Sequence, residues 1–320
     1  MKLISVLMSV YNETEDELSQ SIESILCQTY SHFEFIIIND NPENQRICAV
    51  LQRYGDADSR IKLFPNEENI GLVASLNRGW KLAQGEFIAR MDADDISTPD
   101  RFEKQLAYME EHRLDFIGSN LQNINEAGEP ISSVRYFPAL ARNVENTAGL
   151  FSGLCHPAWL MKRQVMDRLN GYRNIYSCED YDFILRALAM GFQLGNCQHP
   201  CLYYRIRTAG ISRSNYATQS VISYYLAKNR HRILQLTFEE IQEYMQSPAG
   251  ESYRSLVEYR QSHGAEGKPL DRPTRDMLCK HWRNPFYWKF LKSCLVQLLL
   301  RGKDKCKEIL KLRRNGRRTF

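Results

Sequence analysis

No run of apolar residues in this chain approaches the roughly 20 needed to cross a bilayer as a helix. The richest window, Cys294–Leu300, is bounded by Lys292 and Arg301. The apolar run Leu3–Val10 is short and reads as a buried strand, not as a secretory leader. Paired cysteine motifs are missing as well. There are nine cysteines, an odd number, and none sits in a CxxC pair. That excludes a zinc ribbon or a thioredoxin-type redox motif and points to free thiols in a reducing cytosol. The chain has no internal repeat, which excludes a solenoid. Glycine is lacking from Ser9-Val10-Tyr11-Asn12-Glu13-Thr14. A nucleotidyltransferase needs a glycine-rich phosphate loop just after its first strand, so that activity ranks low.

What is present fits a globular protein. The apolar share is 43%, enough for a packed core and too high for a disordered chain. At 320 residues the chain suffices for one large domain with a substantial extension. The net charge of +4 hides an asymmetry: between Asp271 and Phe320, 15 Lys or Arg stand against 4 Asp or Glu, which leaves the body acidic. A basic tail on an acidic body implies an anionic partner. Trp282, Phe286, Tyr287, Trp288 and Phe290 alternate there with Arg283, Lys289 and Lys292, as in helices that lie on anionic lipid. No nucleic-acid-binding motif accompanies the charge, so nucleic acid is not expected. The expected location is the cytoplasm, peripheral on the inner face of the cytoplasmic membrane.

Strand and helix patterns alternate through the first half. Leu3–Val10, Phe35–Ile38, Ile61–Phe64 and Glu86–Met91 read as strands. Helices open at Thr14, which with Glu17 forms a capping box, near Gln45, near Leu72, and at Thr98-Pro99 with Thr98 as N-cap. Such alternation predicts a parallel α/β sheet with helices on both faces, and ligands then bind at the carboxyl ends of the strands. Later, Phe116–Ile124, Ile131–Val134 and Leu202–Ile206 read as strands and Tyr181–Met190 as a helix. From Tyr216 the reading is helical, over 216–235, 238–246, 251–262 and 284–312, with a linker at Glu266–Arg275.

Polar residues gather at three of the strand ends: Tyr11-Asn12-Glu13, Asn39-Asp40 and Asp92-Ala93-Asp94-Asp95. Crowded carboxylates repel one another unless a cation or donors sit among them, and oxygen-rich sites of this kind suit Mn²⁺ or Mg²⁺ shared with substrate phosphates. The plainer alternative is a solvated loop in which Asp94 or Asp95 only caps the next helix. Glu179, Asp180 and Asp182 open a helix, where acids favour the dipole; alternatively Asp180 is a general base. His156, before the apolar run Ala158–Met161, reads first as a packing residue.

Ser9-Val10-Tyr11-Asn12, Ile38-Asn39-Asp40, Asn69-Ile70-Gly71-Leu72, Ser75-Leu76-Asn77-Arg78-Gly79, the run Gly85 to Asp95 and Glu179-Asp180 occur in an order that resembles family two inverting glycosyltransferases of the GT-A fold. The resemblance covers about residues 1–215 and is strongest to bacterial enzymes of lipopolysaccharide, O-antigen and capsule synthesis that make β-1,3 linkages. It implies a catalytic domain over 1–215, a nucleotide-sugar-binding sheet flanked by helices, and a mainly helical, basic extension over 216–320. It implies a UDP-sugar donor contacted by Tyr11, Asn12, Glu13, Asp40, Asn77 and Asp92. It also implies a metal on Asp92 and Asp94, Asp180 as base with Glu179 beside it, and His156 near a saccharide acceptor. Relatives often carry a His where this chain has Arg207; an arginine cannot ligate a metal but pairs well with phosphate. A non-catalytic binding protein acting through the basic tail is the remaining alternative.

Overall fold

The computed structural model describes residues 2–149, 152–207 and 215–263. The chain divides into two compact units, Met1–Ile241 and Gln242–Phe320. The first therefore continues past residue 215. The expected linker and the 284–312 helix lie outside the described residues.

The elements of the first half are β1 (Ile4–Val10), α1 (Glu15–Leu26), β2 (Phe33–Asn39), α2 (Gln45–Ala57), β3 (Ile61–Pro65), α3 (Leu72–Leu82), β4 (Phe87–Arg90), β5 (Ile96–Ser97) and α4 (Arg101–Glu111). Then come β6 (Phe116–Ile124), α5 (Ala141–Ala148), a 3₁₀ turn at His156–Ala158, β7 (Leu160–Lys162), α6 (Arg163–Leu169), α7 (Glu179–Ala189), β8 (Leu194–Arg205) and α8 (Tyr216–Lys228). After a 3₁₀ turn at Arg230–Arg232 follow α9 (Phe238–Gln246) and α10 (Pro248–His263).

The strands form one sheet in the order β3-β2-β1-β4-β7-β6-β8-β5. β1 pairs in parallel with β2 and β4, and β2 with β3; β7 runs antiparallel to β4 and β6, and β5 to β8, so the sheet is mixed where a parallel one was expected. β2 is buried throughout, as a strand covered on both faces must be. Alternate residues sort to opposite sides. Val6, Met8 and Val10 join Leu18 and Ile22 of α1, Ile47 and Leu51 of α2 and Phe102 of α4 in one core. Leu7, Ile36 and Ile38 join Leu76 of α3, Val165 of α6 and Phe183 and Ile184 of α7 in the other. Because Val10 pairs with Asn39 and Leu7 with Arg90, the ends of β1, β2 and β4 open on one edge of the sheet.

Three local readings need correction. Ile131–Val134 forms no strand; the segment meets β6 only through isolated bridges, Leu121 to Arg135 and Ile124 to Pro130. α4 begins at Arg101, with Asp100 as N-cap, and not at Pro99. The preceding residues are claimed by tertiary bonds: the Thr98 N–H donates to the Cys201 carbonyl at 3.0 Å, and the Pro99 carbonyl accepts from Thr29 N–H at 2.8 Å. The expected helix over 216–235 gives way to the 3₁₀ turn after Lys228. The Thr14 capping box forms as read, with Thr14 Oγ1 accepting from Glu17 N–H and the Glu17 carboxylate from Thr14 N–H.

Candidate active site

β4 ends in Arg90, and the turn after it holds Asp92, Asp94 and Asp95, each able to offer a carboxylate oxygen within 4.8 Å of the others. The turn is held from far away in sequence. Ser21 Oγ of α1 donates to the Asp92 carbonyl at 2.8 Å. Arg205, at the end of β8, donates from Nε to the Asp94 carbonyl at 2.7 Å and from its backbone N–H to Asp95 Oδ1 at 2.8 Å. Asp95 thus does not cap α4. Its other oxygen, Oδ2, is buried with no hydrogen-bond partner among the described residues.

The acids share their surroundings with two arginines. Arg90 forms an ion pair with Asp92. Arg207 Nε lies 3.0 Å from Asp94 Oδ2, and its Nη2 donates to Glu17 Oε2 at 3.0 Å. Even so, burial and then the charge of Asp92 push the Asp94 carboxyl up to about 6. Burial, then Asp94 and Asp92, raise Asp95 well above the usual carboxylate range. Burial also lifts Glu13 to about 7, within the field of Asp94 and Arg207. The two guanidinium groups do not fully offset the crowded negative charge.

A second carboxylate pair begins α7. Ser177 adopts a left-handed conformation (φ 55°), which turns the chain into the helix. Burial, followed by repulsion from Asp180, raises Glu179 to about 7. Burial raises Asp180 to about 6, against the backbone N–H of Tyr181, which donates to its Oδ1 at 2.6 Å, and against the charge of Arg90. Arg90 is therefore common to both groups: buried, it feels Asp92 and Asp95 and acts in turn on Glu179 and Asp180. Its backbone is locked by Arg101, whose Nη2 donates to the Arg90 carbonyl at 2.8 Å.

The third corner is Asp40, just past β2. Its Oδ1 accepts from Asn66 Nδ2 at 2.7 Å and Ile70 N–H at 2.9 Å, and its Oδ2 from Gly71 N–H at 2.9 Å. The carboxylate thereby fixes the loop leading into α3, where Gly71 at φ 84° occupies a backbone region that favours glycine. Tyr11, just past β1, is exposed, and Asn41 Nδ2 donates to its carbonyl at 2.8 Å.

The profile of Glycosyl transferase family 2 matches residues 5–169. The O-antigen biosynthesis glycosyltransferase WbnJ of Escherichia coli is 34% identical over 229 residues, covering 71% of this chain and 88% of WbnJ. The chain is a family 2 glycosyltransferase. Solved structures agree on the fold. TarS 1-349 of S. aureus, in complex with UDP-GlcNAc, superposes with a TM-score of 0.55 at 18% identity, covering 82% of this chain and 88% of TarS. The mannosyltransferase PcManGT of Pyrobaculum calidifontis, in complex with GDP-Man and Mn²⁺, gives 0.54 at 13% identity, covering 94% and 86%. The architecture is GT-A, as the sequence motifs implied.

Within this glycosyltransferase, the expected residues fall in different places. Asp92, Asp94, Arg207 and Glu13 assemble around one point, and Glu179 and Asp180 share Arg90 with them. Asp40, Tyr11 and the exposed Asn12 line the ends of β1 and β2. Asn77, expected at the donor, instead spends both halves of its amide on Tyr172: Nδ2 donates to the carbonyl at 2.9 Å, and Oδ1 accepts from the N–H at 2.9 Å. His156, expected at the acceptor, shares a 2.9 Å hydrogen bond with the Tyr172 hydroxyl and packs against Trp159. Burial and Arg90 hold its pKa well below the usual value, so the ring is neutral. Arg90 and Arg205 were not singled out from sequence. Arg90 carried a signal, since a charged residue ending a buried strand needs a partner; Arg205 carried none beyond its neighbour Arg207.

The donor set fits a divalent cation. It is all oxygen, as hard cations require, and the buried, unpartnered Oδ2 of Asp95 is an acceptor with an open place for a ligand. Burial and then mutual repulsion raise Asp94 and Asp95, and a bound cation would offset both by favouring the ionised carboxylates. Among the described residues no helix is long and apolar enough to cross a membrane.

Proposed function

We infer that this enzyme moves a hexose or N-acetylhexosamine from a UDP-sugar to a saccharide acceptor, inverting the anomeric carbon. Asp180 is the general base, and a divalent cation, Mn²⁺ or Mg²⁺, sits on Asp92 and Asp94. The acceptor is a lipid-linked saccharide of lipopolysaccharide, O-antigen or capsule synthesis. The observation that carries this reading is the pairing of two acidic groups around one buried arginine. Asp92, Asp94 and Asp95 form an oxygen cluster, and Glu179 and Asp180 form a second pair, with Arg90 in the field of both. One group suits a diphosphate with its counter-ion, and the other a proton in transit.

Displacement then needs little from the protein except placement and charge. Asp180 takes the proton of the acceptor hydroxyl as its oxygen bonds to the anomeric carbon. The bond from that carbon to the diphosphate oxygen breaks, and UDP departs with the electron pair. An α-linked donor gives a β-linked product. A bound divalent ion supplies the positive charge that stabilises the departing diphosphate. Arg207, whose Nη2 and Nε already reach Glu17 and Asp94, is placed to pair with phosphate once a cation occupies the acids. Asp40, held by Asn66 and by the Ile70 and Gly71 N–H groups, keeps one acceptor site, on Oδ2, for the uracil ring. Relatives named for O-antigen and amylovoran biosynthesis support polysaccharide assembly, and the complexes of TarS with UDP-GlcNAc and UDP support the donor class.

The test is a screen of UDP release from a panel of UDP-sugars, each with Mn²⁺ and with EDTA. Release that requires one UDP-sugar and the metal is the expected result. Release from GDP-mannose alone would overturn the uridine assignment, and undiminished release in EDTA would overturn the metal.

A further inference from the structure

Given the reading of Asp180 as the base, the acceptor must reach that carboxylate from the side away from the donor. A neutral saccharide brings no charge for the site to grip. Its binding energy must come from hydrogen bonds and from contact with the apolar C–H face of a pyranose ring, for which aromatic side chains are the natural partner.

Two such side chains stand in solvent on stretches of chain joined to the turn that carries the base. Tyr176 is 55% exposed and Tyr216 is 44% exposed. Tyr176 directly precedes the left-handed Ser177 and the Cys178 N-cap of α7. Tyr216 is the first residue of α8. The two stretches are tied together. Gln219 Nε2 donates to the Ser177 carbonyl at 2.8 Å, and Cys178 Sγ lies 3.4 Å from the Gln219 carbonyl and 3.3 Å from Ser223 Oγ. Neither ring is therefore on a free-swinging loop tip; both are carried by backbone bonded to the turn that presents Glu179 and Asp180. Trp159, Tyr172 and Phe183, by contrast, are buried and packed on one another. Tyr11 lies exposed at the end of β1, across the site with the donor corner.

We propose that Tyr176 and Tyr216 form the acceptor subsite, an aromatic platform that takes a neutral pyranoside by its C–H face and delivers its hydroxyl to Asp180. Each ring contributes stacking, so loss of either weakens acceptor binding without touching the nucleotide corner. A β-galactoside, whose axial 4-hydroxyl leaves the C–H bonds of its C3, C4 and C5 atoms contiguous on the opposite face, suits such a surface better than a β-glucoside.

The test uses the full chain saturated with UDP and Mn²⁺, and saturation-transfer NMR with methyl β-D-galactopyranoside and methyl β-D-glucopyranoside as probes. Tyr176→Ala and Tyr216→Ala are each expected to raise the galactoside Kd about fivefold to tenfold, the range of one lost ring contact. Tyr176→Phe and Tyr216→Phe should bind as the parent does, and UDP affinity should be the same in all four. Alanine variants that bind both glycosides as the parent does would overturn the platform, as would a parent that binds neither. Asp180→Asn separates this inference from the base on which it rests. Galactoside binding that survives there while transfer is lost supports both. If transfer also survives, the base assignment fails while the platform is judged on the tyrosine variants alone.

Discussion

Asp180 sits where burial outweighs the Tyr181 N–H and the charge of Arg90. Taken out of water, its carboxyl is lifted to about 6, high enough to receive a proton and low enough to be ionised near neutrality. A base must be deprotonated to act, so kcat/KM is expected to rise with pH with unit slope up to about 6 and then level. A pH profile that is flat from 5 to 8 would remove the assignment, taking about 6 as the titration point. Asp180→Asn should lower transfer by about 10²- to 10⁴-fold, the span of a lost general base, with UDP binding intact by calorimetry. Asp95 offers a separate test that does not depend on turnover. Its folded-state pKa is raised, so the ionised group opposes folding, and stability contributed by protonation is lost as pH rises above the ordinary carboxylate range. In EDTA, Asp95→Asn should gain in melting temperature on the parent as the pH is raised above the ordinary carboxylate range. Mn²⁺ at about 100 Kd should raise the parent's stability by about 2.7 kcal/mol and the variant's by much less. Equal Mn²⁺ shifts in the two proteins would show that Asp95 holds no ion.

At the scale of elements, the site depends on how firmly α7 is seated. Asp182, fully buried, pairs with Arg173 and with Arg186 Nε at 2.8 Å. Those arginines continue outward: Arg186 donates to the Leu169 and Gly171 carbonyls, and Arg173 Nη1 to the Leu236 carbonyl. α7 is thus bolted to the end of α6 and to the chain beyond α8. Asp182→Ala leaves two guanidinium groups without their anion and should cost about 3–5 kcal/mol in urea unfolding. Asn77→Ala removes both bonds from α3 to Tyr172 and should cost about 1–3 kcal/mol. Because Asn77 is a clamp, that loss should appear in stability, with UDP affinity kept. The elements also mark how far local reading reaches. The Thr14–Glu17 capping box was legible because its partners lie three residues apart. The start of α4 was not, because Thr98 and Pro99 are drawn off by Cys201 and Thr29, and no local pattern encodes those partners.

At the scale of the whole molecule, the charge asymmetry makes its own prediction. The basic, aromatic stretch from Asp271 lies outside the described residues, and its reading as a lipid contact rests on composition. The full chain should sediment with vesicles containing phosphatidylglycerol and not with phosphatidylcholine alone. Binding should fall steeply between about 0.1 and 0.5 M salt as screening shortens. Replacing Arg313, Arg314, Arg317 and Arg318 with Glu should weaken it, at about 1 kcal/mol per charge near the surface. Sedimentation indifferent to lipid charge would argue that the tail has another partner.

The sequence by itself determined the parallel part of the sheet, β1 to β4 with their helices, and the acids at the strand ends. Those features follow from periodicity, capping and the rule that parallel strands present ligands at one edge, all of which act over a few residues. The antiparallel insertion of β7 between β4 and β6, and β5, were not in it. The tertiary structure alone decided what each acid does. Asp95 meets the Arg205 N–H 110 residues away, and Asn77 meets Tyr172 at a separation of 95. Arg90, a plain strand residue in one dimension, becomes the cation between two acidic groups only when β4 ends beside α7. Burial and charge act through space, so the distribution of protons and partners in this site was fixed by distances that a linear pattern does not contain.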